Sequence, residues 1–124
     1  MRQAFLIAAL VLTPVSGFAQ SPELEATCKA VAQAFFMLEK LPVGTIQSFP
    51  ELKPPGVRMT YSTRAGTAPA EMTDSFECEF RNNQKPHELV KFCVSNTCYS
   101  ASEQDADRKR RFEEARTLLA RSQR

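Results

Sequence analysis

The sequence contains no tryptophan, one histidine and only four glycines among 124 residues, and it has no apolar run long enough to cross a bilayer. The apolar stretch from Ala4 to Leu12 is less than half of the roughly 20 residues that a spanning helix needs. Charge of one sign is also missing, with 16 basic groups against 14 acidic ones. So even a balance gives no electrostatic case for nucleic acid or an anionic membrane as the main partner. The single histidine, His87, stands beside Pro86 in an expected turn, with no G-x-S-x-G motif or comparable partner set to make it catalytic. The pattern predicts an exposed turn residue there.

What is present begins with an address. MRQAFLIAALVLTPVSGFAQ has a positive charge at Arg2, an apolar run, and small residues Gly17 and Ala19 before Gln20, the three-part layout of a secretory signal. Cleavage is expected after Ala19, giving a signal peptide at 1–19 and a single domain at 20–124. Removing the signal takes away only Arg2, which leaves the mature chain with 15 basic and 14 acidic groups. Cys28 lies well inside the mature chain, so no cysteine is placed to carry a lipid anchor. The expected location is periplasmic or secreted.

A domain of about 100 residues buries modest apolar surface, and small exported domains often add disulfides. Cys28, Cys78, Cys93 and Cys98 supply an even number for that purpose. Ser21-Pro22-Glu23 reads as a helix start, with a capping hydroxyl, proline in the first turn and a carboxylate near the positive helix end. Leu24, Cys28, Val31, Phe35 and Leu38 then recur at spacings of three and four, and Leu41-Pro42 closes the pattern. Phe35 belongs to this core stripe, and Phe36 lies off its centre. From Leu41 to Gly56 four prolines predict an extended connector, with at most a short edge strand over 45–49.

Val57, Met59 and Tyr61 alternate with polar residues, as do Phe76, Cys78 and Phe80, and both segments are expected as strands with one buried face. Between them, residues 64–74 form a long loop of the kind that often carries binding function. A third strand over 88–94 is expected to turn Val90, Phe92 and Val94 inward, and a short fourth over 98–101 follows the Ser-Asn-Thr turn. Ser102-Glu103-Gln104-Asp105 resembles a capping box for a final helix over 103–120, with Phe112, Ala115 and Leu119 inward. The expected fold is α+β: an N-terminal helix, a three- to four-stranded antiparallel meander, and a C-terminal helix, stapled by two disulfides.

Strand parity selects the pairing. Across a hairpin, Cys93 and Cys98 project to the same outward side, because Phe92 and Tyr99 take the other side; Cys78 points inward with Phe76 and Phe80, toward Cys28 on its helix. The expected bonds are Cys28 to Cys78 and Cys93 to Cys98. The C-x-x-x-x-C spacing on a hairpin differs from the C-x-x-C at a helix start that lowers a thiol pKa. A zinc site would need four paired nitrogen or sulfur ligands, and four cysteines with one histidine in an exported chain fit disulfides better. No metal or cofactor is expected.

Arg108-Lys109-Arg110-Arg111 is interleaved with carboxylates, Glu113 and Glu114 following Lys109 and Arg110 at i+4, so it reads as a solvated helix face. Glu77 and Glu79 share the outward strand face as solubilising groups. These features point to an exported, non-enzymatic protein that acts by binding an unidentified protein partner through loop 64–74 and the 95–97 hairpin tip. The candidate contacts are Arg64, Thr67, Glu71, Ser95, Asn96 and Thr97, with no catalytic residue assigned. Small exported inhibitors of lysozyme-type hydrolases share this size, address and disulfide content, so inhibition of an exported hydrolase is one alternative. A small envelope enzyme or thiol exchanger using Cys93 and Cys98 is the other.

Overall fold

In a computed structural model the described residues are 20–124, so the expected signal peptide lies outside them. Helix α1 runs Pro22–Phe36, its first turn closed by Ser21, whose hydroxyl accepts from the Leu24 amide at 3.3 Å. Leu24, Cys28, Val31 and Ala32 form its buried stripe. The helix stops at Met37, a left-handed residue with φ of 57°. Its end is closed by the Met37 and Leu38 amides, which donate to Ala34 and Gln33 carbonyls.

Five strands follow: β1 Val43–Phe49, β2 Gly56–Tyr61, β3 Asp74–Phe80, β4 Leu89–Val94 and β5 Thr97–Ser100. They form one antiparallel meander in chain order. The expectation of three to four strands falls short by β1, expected as a connector with at most a short edge strand. Pro42 and Pro50 bracket this strand and leave Val43–Phe49 free of proline. Its inward Ser48 is buried and tied to the start of α1: the Ser48 hydroxyl accepts from the Ser21 amide at 2.6 Å and donates to Glu25 at 2.9 Å.

Helix α2, Ala106–Ser122, is capped by Asp105, which accepts from the Arg108 amide at 2.9 Å. The expected start at Ser102 and Glu103 is thus corrected: the shorter carboxylate of Asp105 is the cap itself, and Ser102 bonds Ser100 instead. Both helices cover the same face of the sheet, α1 over β1–β3 and α2 over β4 and β5, and they touch each other. They run antiparallel, since Arg111 of α2 lies over Phe35 near the end of α1 while Gln123 reaches the level of Thr27 through His87.

Between helices and sheet, Phe76, Phe92 and Tyr99 stack in sequence across β3, β4 and β5, with ring centroids 5.5 and 4.8 Å apart. Phe35 meets this row edge-on, and Phe36 packs on Tyr61 at 4.9 Å, so both rings join the core margin. Such pairs add about 0.5–1.5 kcal/mol each beyond area burial. One inward position is corrected. A bulge opposite Glu79 and Phe80 places Leu89, not Val90, against the core, and Val90 is only half-buried.

The disulfides pair as expected. Cys28 and Cys78 are both buried and tie α1 to the central strand with Cα atoms 5.8 Å apart. Cys93 and Cys98 are directly opposed across the last hairpin, 4.0 Å apart.

Candidate functional site

The sheet has two ends, and the chain distributes its chemistry unequally between them. At one end β1 begins, β2 ends, β3 begins and the β4–β5 hairpin turns: Val43 pairs with Tyr61, Tyr61 with Asp74, and Phe76 with Val94. Residues 62–73 bridge β2 and β3 there. Ser95 and Asn96 form the hairpin tip, anchored by the Ser95 amide donating to the Ser75 carbonyl at 2.8 Å. Met37 belongs to the same end, because its neighbour Phe36 packs on Tyr61.

The long loop is more ordered by its own bonds than composition suggests. Its first part closes on itself: the Arg64 amide donates to the Ser62 hydroxyl at 3.1 Å, and Thr67 donates to the Arg64 carbonyl at 2.9 Å. The Ser62 and Thr67 hydroxyls meet at 2.8 Å. The second part makes a short 3-10 turn, Pro69–Glu71, after which Met72 is buried. Gly44 permits that docking. A Cβ at Gly44 would stand 2.6 Å from Thr60 Oγ1, 3.1 Å from Met72 Sδ and 3.3 Å from the Pro69 carbonyl.

Of the six candidate contacts, Arg64, Glu71, Ser95, Asn96 and Thr97 are exposed at this end. Thr67 is half-buried, and its hydroxyl serves its own loop, which makes it a brace for Arg64 rather than a surface group. Met37, 89 % exposed, was not among the candidates. Its helical spacing carried no sign that the chain would turn left-handed at a methionine. At the end of β2 the Tyr61 phenol is pushed above its usual value, first by burial and then by the neighbouring Asp74 carboxylate.

Just behind the hairpin tip, the Cys93–Cys98 bond lies on the open sheet face in a cross-strand row with Gln47, Arg58 and Glu77. Arg58 and Glu77 form an ion pair at 3.3 Å. A carboxylate facing Cys93 opposes thiolate formation, and the hairpin supplies no helix N-terminus to favour it. In the basic run, Arg110 pairs with Asp107 and Glu114, and Arg108 with Glu103. Glu113 pairs with Arg116, not with Lys109 as its spacing suggested.

His87 corrects its expectation. It is 3 % exposed, with its ring against Phe80 and its backbone clasped by the Gln123 side chain at 2.7 and 2.9 Å. Among the described residues no three His, Cys, Asp or Glu groups converge as a metal site. No family model, curated protein or solved structure matches the chain.

Proposed function

We propose that the chain is an exported, non-enzymatic protein that binds another protein with the sheet end formed by residues 62–73, the 95–97 tip and Met37. The observation that carries this reading is the backbone at that end. Met37, Gly66 and Ser95 are the positive-φ residues among those described, and all three belong to it. For a non-glycine residue the left-handed conformation costs about 1–2 kcal/mol, and strained residues gather at functional sites. Met37 also presents a nearly fully exposed apolar side chain there, and the Cys93–Cys98 clasp holds Ser95.

Two disulfides accord with an extracytoplasmic location, and no helix of the described residues is long and apolar enough to cross a membrane. Thiol exchange is the weaker reading, given Glu77 beside Cys93. The test places a photo-crosslinking amino acid at Glu71, Asn96 or, as a control at the opposite end, Asn83, in the mature oxidised protein in its native compartment. One partner shared by positions 71 and 96 and missing at 83 is expected. Background alone at 71 and 96 overturns the reading.

A further inference from the structure

The face of the two helices turned away from the sheet carries a second surface, which meets the sheet end at Met37 and otherwise uses different residues. Along the seam between α1 and α2 lie two open depressions of about 580 and 750 Å³, the size range of ligand sites. The first is floored by Ala34, Phe35 and Ala115, and the second is walled on its α1 side by Ala26 and Ala30. Ala26, Ala30 and Ala34 repeat every four residues, so α1 presents one line of small side chains to both. Met37 and Leu118, 89 % and 48 % exposed, stand as apolar rims. The seam follows α1 for about 22 Å, the length of 15 helical residues.

Its charges are asymmetric. Every Asp or Glu side chain lining the depressions already has a cation: Glu23 has Lys85, Glu113 has Arg116 and Glu114 has Arg110. Among the described residues Arg111 and Arg121, which line the first depression, have no carboxylate within 4 Å. The Arg111 guanidinium carbon lies 4.1 Å from the centroid of the Phe35 ring, a cation–π contact that holds the group beside the depression without neutralising its charge.

We propose that this seam binds an amphipathic helix from a partner protein, with small or apolar residues on the contact face and acidic residues along the flank that meets Arg111 and Arg121. An alanine floor admits a third helix at the 8–10 Å separation of ordinary helix packing. Met37 and Leu118 supply apolar contact area, and the two free guanidiniums set the sign of the flank.

The experiment uses residues 20–124 with both disulfides formed. The probe is a synthetic 16-residue helical peptide with Ala and Leu on one face and Glu on both flanks. Controls are the same peptide with Lys for Glu and a scrambled peptide of the Glu composition. Binding followed by amide chemical shifts is expected to move Ala34, Met37, Ala115 and Leu118, to weaken with salt, and to fail with both controls. Arg111→Gln and Arg121→Gln should each weaken it about two- to fivefold, the range of exposed ion pairs. Leu118→Asp should abolish it with unchanged melting temperature. Equal binding of the Lys peptide, shifts confined to residues 62–73 and 95–97, or no binding overturns the proposal. So does occupation of the seam by a second copy in sedimentation velocity, or by vesicles of anionic phospholipid in place of the peptide.

Discussion

Thr27 and His87 are 60 residues apart in sequence and meet at 3.1 Å between Oγ1 and Nδ1. The Thr27 hydroxyl gives its proton to the Glu23 carbonyl at 2.7 Å, so the imidazole is the donor to Thr27 and its proton sits on Nδ1. Nε2 is buried without a hydrogen-bond partner. Together with Gln123, whose amide brackets the His87 backbone, the ring joins α1, the β3–β4 turn and the cap that follows α2.

This arrangement makes His87 a packing residue with one useful hydrogen bond. His87→Ala removes that bond and leaves a void beside Phe80, and we expect about 2–4 kcal/mol of destabilisation in urea unfolding. Gln123→Ala should cost about 1 kcal/mol and raise amide exchange mainly at the end of α2. A His87→Ala variant as stable as the parent would remove the role assigned to this contact.

The docking of loop 62–73 on β1 gives a second expectation. Gly44→Ala forces a Cβ into Thr60, Met72 and the Pro69 backbone, and overpacking of this kind costs about 1–3 kcal/mol. The displaced loop should expose Met72, so peroxide oxidation of Met72 is expected to accelerate relative to the parent. Gly66→Ala makes a useful contrast. It has open space around it but a φ of 81°, so it should lose about 1 kcal/mol without changing the Met72 oxidation rate.

Much of the scaffold was legible because it obeys local periodicity. The stripe through Leu24, Cys28 and Val31 located α1, and the alternation around Cys78 and Cys93 was enough to choose the disulfide pairing. What escaped depends on distant partners. His87 is buried because α2 delivers Gln123 to it from 36 residues away, which no turn composition reports. Strand β1 was obscured by its flanking prolines, and Leu89 took the place expected for Val90 through a bulge that has no residue signature here. At the candidate site, the exposure of Arg64 and Glu71 follows from polar loop composition. The inward turn of Thr67 and the left-handed Met37 arise from how the loop and helix end close their own hydrogen bonds.

The two disulfides are expected to differ in what they stabilise. In the chain-entropy view the Cys28–Cys78 loop contributes roughly 4 kcal/mol and the Cys93–Cys98 loop roughly 2 kcal/mol. Replacing Cys28 and Cys78 together by Ala should therefore lower thermal stability more than replacing Cys93 and Cys98 by Ser. Only the second pair should leave the core intact, as judged by near-ultraviolet circular dichroism and amide exchange of β3. Equal losses from the two replacements would contradict the separation of buried staple and surface clasp.

Tyr61 sets an alkaline limit on stability. The folded chain holds its phenol proton more tightly than the unfolded chain, through burial first and Asp74 second. That contribution is complete below pH about 10, the ordinary phenol value, and is lost as pH rises from there through the raised folded value. In a Tyr99→Phe background, phenolate absorbance should titrate above the free-tyrosine value. Asp74→Asn should move it only part of the way back, because burial remains. A complete return would reverse the order of the two causes.

The last expectation separates stability from function at the sheet end. Met37 and Ser95 hold left-handed backbones that glycine adopts without steric cost. If the only demand on these positions were folding, glycine would serve better, so Met37→Gly and Ser95→Gly should each stabilise the domain or leave it unchanged, by up to about 1 kcal/mol. On a domain of this size that is a rise in melting temperature of about 4–8 °C. The gain should come with weaker crosslinking to the partner from positions 71 and 96, since Met37→Gly removes the exposed apolar side chain and Ser95→Gly loosens the tip. This is the usual exchange of function for stability at a strained site. Loss of stability in both variants would mean that the side chains contribute more to the fold than the strain costs. The strain would then no longer support a binding role for this end.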